Sequence, residues 1–201
     1  MTERISPTPE GIELAAGILR DGGLVAFPTD TVYGVAVAAS RGDRLDAIFA
    51  LKRRPPEKAI PILVATLDQA VAAGYVADER AHRLVDRFWP GALTLVLPAI
   101  DGGATQAFRA PDHPVALALI RASGPLSATS ANRSDEPDTL GADEVLIAFA
   151  MQQDELTAVV DGGPVPGGVA STVLDLSATP ARILRAGPLG RDRLAAIVDI
   201  A

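Results

Sequence analysis

The 201-residue sequence contains no cysteine and only two histidines, His82 and His113. Without cysteine, disulfide bonds, thiolate nucleophiles and cysteine-ligated metals are excluded, and two histidines cannot build a histidine-rich metal site. Aromatic residues make up only 4% of the chain, whereas hydrophobic residues make up 48%. We therefore predict a core of Ala, Val, Leu and Ile, which is common in α/β proteins.

The sequence also lacks a signal-peptide pattern and long apolar runs. Residues 1–11 hold charges and two prolines, and no charge-free run approaches the ~20 apolar residues of a membrane helix. The net charge of −7 is unfavourable for duplex nucleic acid, which requires a broad basic face. We expect a cytoplasmic protein with no membrane partner, in which basic residues act on anions only locally.

Strand-like and helical patterns alternate through most of the chain, and strands crowd near its end. Strands are predicted at residues 24–27, 31–38, 60–65, 93–97, 106–109, 126–130, 158–160, 172–176 and 182–184. Helices are predicted at residues 10–21, 43–51, 67–73, 78–88, 114–122, 142–152 and 192–198. This order favours an α/β fold with an open, twisted, mixed sheet, and without a linker or repeat we predict one domain over residues 1–201.

Residues 52–58 form a short basic segment, KRRPPEK, which holds the only two lysines of the chain, Lys52 and Lys58. Its two prolines predict a loop. A compact ammonium is suited to binding phosphate as a point charge. Taken alone, however, such a charge run is more often a solvated surface loop.

Four further polar groups follow predicted strands, where open α/β sheets place their ligands. The segment PTDTVYG at residues 28–34 could bind a ligand or merely stabilise a turn through its side chains. Ser130 and Asn132 could contact a ligand or cap a helix. Arg109 suits a carboxylate or phosphate in bidentate geometry, or a surface salt bridge. Ser171 follows the glycine-rich stretch 162–168, and Arg185 lies at the end of a predicted strand. The phosphate-loop, dinucleotide and nucleophile-elbow motifs are absent from the sequence.

In their order along the chain, these groups resemble the YrdC-like family of threonylcarbamoyl-AMP synthases. The resemblance runs from about residue 22 to residue 185 and is carried by six motifs. They are PTDTVYG at 28–34, K-x-R-P at 52–55, T-x-x-x-R at 105–109, SAN at 130–132, STV at 171–173 and Arg185. The resemblance implies a concave, positively charged cavity and the synthesis of threonylcarbamoyl-AMP and pyrophosphate from L-threonine, bicarbonate and ATP.

The resemblance also implies roles for particular residues and partners. The ATP-binding residues would be Lys52, Arg54, Lys58, Thr105, Ser130, Asn132 and Arg185. Threonine or its carbamate would be held by Thr31, Arg109 and Ser171. No catalytic side chain is assigned, because such phosphoryl chemistry needs positioning and cationic stabilisation, with Mg²⁺ assisting. Downstream threonylcarbamoyl-transferase proteins and, transiently, tRNA would be partners.

The sequence departs from the family pattern at a few positions. Leu63 or Val64 stands where some members carry His, Asp135 where Gly is frequent, and Asp138 where Ser is frequent. A related protein without synthase activity and an RNA-binding module are the alternative functions. We further expect Lys52→Ala to weaken ATP binding sharply at little loss of stability, on the premise that Lys52 is an exposed loop residue.

Overall fold

The computed structural model describes residues 1–53, 55, 59–152 and 155–201. Its strands are β1 (Glu3–Ile5), β2 (Leu24–Pro28), β3 (Tyr33–Ala38), β4 (Ile62–Leu63), β5 (Leu93–Leu97), β6 (Gln106–Arg109), β7 (Leu126–Ser130), β8 (Leu156–Val160), β9 (Thr172–Asp175) and β10 (Arg182–Arg185). Its α-helices are α1 (Pro9–Arg20), α2 (Leu45–Lys52), α3 (Leu67–Ala72), α4 (Glu79–Phe88), α5 (Pro114–Ser123), α6 (Ala142–Ala148) and α7 (Arg191–Ala195). Short 3₁₀ helices span Gly42–Arg44 and Ala150–Gln152.

The helix starts follow from simple capping chemistry. Thr8 accepts a hydrogen bond from the Gly11 amide at 3.1 Å before α1, and Asp78 accepts one from Ala81 before α4. Pro9 and Pro114 occupy the first turns of α1 and α5, where a missing amide hydrogen costs nothing. None of the helices in the described part of the chain combines the length and apolar character needed to cross a bilayer.

The chain divides into two compact units. The first unit comprises Met1–Ile60 and His113–Gly168, and its strands follow the order β1-β8-β2-β3-β7. The pairs β1–β8 and β8–β2 are parallel, whereas β2–β3 and β3–β7 are antiparallel. Its core includes Leu24, Val35 and Val159 of the strands and Ile48 and Leu51 of α2, all almost fully buried. Burying these side chains stabilises the unit by ~2 kcal/mol each.

The second unit comprises Pro61–Asp112 and Val169–Ala201, with strand order β4-β6-β5-β9-β10. Here β4–β6 and β5–β9 are parallel, whereas β5–β6 and β9–β10 are antiparallel. Leu84 of α4 and Leu194 of α7 are fully buried against strand residues such as Leu95 and Leu174. Strand pairing in both directions with packed helices confirms the predicted mixed α/β class. The single-domain assignment stays a prediction.

Candidate functional site

The turn between β2 and β3 carries two buried threonines whose hydroxyls bond each other. The Thr29 hydroxyl donates to the Val32 carbonyl at 2.7 Å and accepts the Thr31 amide at 3.2 Å. Because its single proton is committed to Val32, the 3.1 Å contact between the two hydroxyls makes Thr31 the donor. The turn-stabilising role therefore belongs to Thr29, to which the Thr31 hydroxyl donates.

This turn is tied to the loop that follows β7. The Tyr33 carbonyl accepts the Ala131 amide at 2.7 Å, and the Tyr33 amide donates to the Thr139 carbonyl at 2.9 Å. The Thr139 hydroxyl then donates to the Ala131 carbonyl at 3.0 Å. Since Gly34 pairs with Ser130 in the antiparallel β3–β7 ladder, two motifs almost a hundred residues apart in sequence meet in one polar network.

The Tyr33 phenol is held away from water beneath this network. Its hydroxyl donates to the Gly163 carbonyl at 2.8 Å, and burial, followed by the nearby Asp161 carboxylate, raises its pKa to about 12. The folded state thus holds this proton more tightly than the unfolded chain. Its contribution to stability is complete below pH ~10 and is lost as the pH rises toward the folded value.

We predict that Tyr33 ionises with a midpoint near its folded pKa of about 12. The measurement is the alkaline titration of tyrosinate absorbance, recorded for the wild type and for Tyr33→Phe. The chain has two tyrosines, so the difference between the two curves isolates Tyr33. A difference curve centred near the ordinary tyrosine value of ~10 would contradict the buried placement of the phenol.

Lys52 is the last residue of α2 and only 2% of it is exposed. Its ammonium donates to the Ser130 carbonyl at 2.5 Å, to the Asn132 carbonyl and to the Asn132 side-chain oxygen at 3.1 Å. The premise that Lys52 is an exposed loop lysine is therefore wrong. Removing its side chain would leave three buried oxygens without this donor, so Lys52→Ala should not spare stability. Arg54 and Lys58, the other basic residues assigned to ATP, lie outside the described residues.

Ser130 and Asn132 lie together around this lysine. The Ser130 hydroxyl donates to the Asn132 side-chain oxygen at 2.6 Å, and the Asn132 amide group donates to the Glu136 carbonyl at 2.6 Å. The Ser134 hydroxyl and the Nε of Arg133 are buried without a hydrogen-bond partner among the described residues. Because buried polar atoms are normally paired, the Ser134 hydroxyl and the Arg133 Nε are candidates for hydrogen bonds to a ligand.

The backbone conformation of Asp135 accounts for one departure from the family pattern. Its backbone adopts φ 66°, the left-handed region that L-residues other than Asn and Asp rarely enter. Glycine would be preferred there for its conformation, and aspartate is tolerated. Asp135 and Asp138 are both exposed, so solvent can screen their charges.

We predict that the free energy of unfolding of Asp135→Gly exceeds that of Asp135→Ala by about 1 kcal/mol, because the left-handed conformation is sterically unfavourable for alanine but not for glycine. Urea unfolding of the two variants measures the difference, and both lack the carboxylate, so charge cancels. Equal stability would show that this loop does not require a positive φ at residue 135.

The second unit holds a separate group of polar side chains, which we call the serine–arginine cluster: Thr94, Ser171 and Arg185. The Ser171 and Thr94 hydroxyls lie 2.7 Å apart, and both residues are buried. Arg185 donates from Nε to the Ser171 carbonyl at 3.0 Å and from Nη2 to the Ser171 hydroxyl at 3.1 Å. Arg185 is otherwise exposed at the end of β10, so the cluster combines a fixed hydroxyl with an accessible positive charge.

Arg109 and Thr105 differ in their exposure to solvent. Arg109 ends β6, is 9% exposed and donates from Nε to the Gly91 carbonyl at 2.9 Å. The next carbonyl, that of Ala92, accepts the Thr172 amide at 3.0 Å, so one backbone segment joins Arg109 to the neighbourhood of Ser171. Thr105 lies in the exposed loop before β6.

Thr94 is a buried polar residue that the sequence-based assignment missed. Thr94 interrupts the apolar run of β5, and a lone hydroxyl in such a strand is the signal that could have identified it. At the positions where some family members carry His, Val64 is fully buried in the apolar core and Leu63 is 7% exposed. A polar side chain at Val64 would therefore require a different core.

A cavity of about 380 Å³ in the second unit contains none of the predicted site residues. It is lined by Arg80, Arg83, Thr179 and residues 195–199. Arg80 is already committed to Asp78 at 2.7 Å and to the carbonyls of Leu176 and Ala178, both at 2.8 Å. We therefore assign no part of the candidate site to this cavity.

These features define a mixed α/β protein with polar side chains at the ends of several strands, which is where open α/β sheets place their ligands. The Sua5/YciO/YrdC family model, described as "Telomere recombination", matches residues 17–187. The chain therefore belongs to this family, which confirms the resemblance seen in the sequence.

Similar proteins extend over almost the whole chain. A threonylcarbamoyl-AMP synthase of Bacillus subtilis is 39% identical, covering 98% of this chain and 59% of that protein. One of Pyrococcus abyssi is also 39% identical, covering 93% of this chain and 57% of that protein. A putative threonylcarbamoyl-AMP synthase of Mycobacterium tuberculosis is 33% identical, covering 94% of this chain and 90% of that protein. The chain thus spans about three fifths of the length of the first two relatives.

Solved structures agree on the fold. P. abyssi Sua5 complexed with L-threonine has a TM-score of 0.88 at 36% identity, covering all of this chain and 62% of that chain. E. coli YciO has a TM-score of 0.81 over 96% of this chain and 98% of that chain, at 22% identity. The latter likeness concerns the fold alone. Together they confirm the predicted YrdC-like sheet.

Proposed function

We propose that this chain is an L-threonylcarbamoyladenylate synthase, a nucleotidyltransferase that forms threonylcarbamoyl-AMP and pyrophosphate from L-threonine, bicarbonate and ATP. The observation that carries the proposal is the preorganisation of the motif residues. Lys52, Ser130 and Asn132 form one hydrogen-bonded group, and Ser171 with Arg185 forms another. The names of the relatives and the threonine complex of P. abyssi Sua5 support this reading.

The proposed roles of the residues follow the family motifs. On the family motifs alone, the ATP site would comprise Lys52, Arg54, Lys58, Thr105, Ser130, Asn132 and Arg185. L-threonine or its carbamate would be bound by Thr31, Arg109 and Ser171. A hydroxyl such as that of Thr31 suits the threonine amino or hydroxyl group, and the guanidinium of Arg109 suits the carboxylate.

The proposed reaction needs little covalent participation from the protein. The threonine amine and bicarbonate condense to a carbamate with loss of water. A carbamate oxygen then forms a bond to the α-phosphorus of ATP, and the bond from that phosphorus to pyrophosphate breaks. Fixed cations and hydroxyl donors can stabilise the charge on the transferring group, since such transition states respond mainly to positioning and electrostatics.

A protein-held magnesium ion is not supported by the residues present. Among the described residues, no group of three or more His, Cys, Asp or Glu side chains could hold a metal ion. Mg²⁺ usually keeps several waters and binds through substrate phosphates with one or two carboxylates. We therefore treat it as part of the ATP substrate and assign it no ligand in the chain.

The partner proteins, the location and the shape of the substrate site are proposed from family membership alone. The product would pass to threonylcarbamoyl-transferase proteins that modify tRNA beside the anticodon, with tRNA itself a transient partner. We propose a cytoplasmic location and a concave, positively charged substrate cavity. A single YrdC-like domain over residues 1–201 belongs to the same proposal.

Pyrophosphate release from ATP tests the proposed function. We expect release only when ATP, bicarbonate and L-threonine are all present, and no release when either of the latter two is omitted. Release that is independent of threonine, or none in the complete mixture, would contradict the proposal. In the second case, salt-sensitive binding of RNA by the same preparation would favour the RNA-binding alternative.

A further inference from the structure

We propose that Lys52 positions the loop of residues 130–134 from inside the protein and does not itself contact the phosphates of ATP. This inference rests on the proposed function for the identity of the ligand. It revises the role of Lys52 from phosphate ligand to positioning residue. The geometry around the ammonium, independent of any ligand, carries it.

An ammonium has three N–H donors. Three oxygens of one loop accept hydrogen bonds from the Lys52 ammonium: the Ser130 carbonyl, the Asn132 carbonyl and the Asn132 side-chain oxygen. With 2% exposure, the side chain has little surface to present to a ligand. A phosphate could be reached only by giving up loop oxygens that would then lie buried without their donor, which is costly.

The backbone of Lys52 makes a further contact with the same loop. Its carbonyl accepts the Ser134 amide at 3.0 Å. The helix ends directly after it, where Arg53 turns into the left-handed conformation at φ 51°. One residue at the end of α2 therefore fixes the loop at residues 130, 132 and 134.

The lysine also controls how Ser130 and Asn132 face a ligand. The Asn132 side-chain oxygen accepts from both Lys52 and the Ser130 hydroxyl, while its amide group donates to the Glu136 carbonyl. Without the ammonium, three oxygens converge with no positive charge between them. The loop should then rearrange, and the hydroxyl and amide donors assigned to ATP should move together.

Lys52→Met tests the proposal because it keeps most of the length of the side chain and removes the charge. Arg87→Met on α4 is the matched control, because Arg87 is exposed and has no assigned role. In the ligand-free proteins, we expect faster amide hydrogen exchange at residues 131–134 in Lys52→Met only. Unchanged exchange in this loop would overturn the proposal.

Nucleotide affinity separates positioning from direct contact. If Lys52 positions the loop, its loss should lower the affinities for AMP and for ATP by the same factor, on the order of tenfold. Direct contact with the outer phosphates predicts a loss confined to ATP, with a weaker salt dependence of ATP binding. If Lys52→Met does not fold, Asn132→Ala removes one of the three acceptors, and the ligand-free variant should show the same exchange pattern.

The wild-type protein provides a check that needs no variant, because the chain has only two lysines. An amine-reactive label should leave Lys52 unmodified in the native protein, with or without ATP. Labelling of Lys52 that ATP suppresses would overturn the proposal. The ligand-free exchange and labelling measurements test the role of Lys52 even if the protein makes no threonylcarbamoyl-AMP. The pyrophosphate assay tests the proposed function separately.

Discussion

Gly187→Ala should lower the free energy of unfolding by about 3 kcal/mol or more. A methyl group at residue 187 would lie 2.4 Å from the Thr172 amide nitrogen and 2.5 Å from the Ala170 carbonyl oxygen. Both atoms belong to the backbone, so no side chain can move aside. The requirement for glycine here is one of space between two chain segments.

The same change should disturb the candidate site. Residues 170 and 172 flank Ser171, and the Thr172 hydroxyl bonds both the carbonyl and the amide of Leu189 two residues beyond the glycine. Displacing this loop should move Ser171 away from Arg185. We therefore expect loss of pyrophosphate release together with lower stability in Gly187→Ala.

Gly42→Ala is the matched control for this prediction. A methyl group at residue 42 meets no atom within 4 Å. Its unfolding free energy should stay within ~0.5 kcal/mol of the wild type, as for ordinary surface substitutions. Urea unfolding compares the three proteins, and equal midpoints for Gly187→Ala and Gly42→Ala would refute the close approach at residue 187.

Arg185→Lys should reduce kcat/KM by about a hundredfold although it keeps the positive charge. The planar guanidinium reaches the Ser171 carbonyl and the Ser171 hydroxyl at the same time, through Nε and Nη2. A lysine ammonium has no such rigid fork, so Ser171 and the charge would lose their fixed relation. Stability should change by less than ~1 kcal/mol, because Arg185 is exposed.

Arg182→Lys on the same strand is the control, since Arg182 is exposed and has no assigned role. The measurement is the steady-state rate of threonine-dependent pyrophosphate release for both variants. If Arg185→Lys turns over as fast as Arg182→Lys, the geometry of the serine–arginine cluster has no part in catalysis.

Three short strands have the limits that the sequence predicted. β5, β6 and β7 have the predicted limits of residues 93–97, 106–109 and 126–130. β1 was missed, because Glu3–Ile5 has no strand-like pattern and its pairing with β8 lies far along the chain. Likewise, only Ile62–Leu63 of the predicted strand 60–65 is paired regularly.

The order of the motifs predicts Ser130, Asn132, Ser171 and Arg185 as site residues, but it does not predict the hydrogen bonds that connect them. Nothing near Lys52 in the sequence indicates that its acceptors are supplied by residues 130 and 132. Thr94 was missed for the same reason, since its partner Ser171 is distant in sequence. Such long-range pairings depend on tertiary structure, which local patterns do not encode.

The most direct test of the proposed activity follows the carbon of bicarbonate into the product. With carbon-labelled bicarbonate, ATP and L-threonine, the protein should form a labelled conjugate of threonine and AMP in amounts equal to the pyrophosphate released. Formation of AMP and pyrophosphate without the labelled conjugate, or the absence of both, would contradict the account.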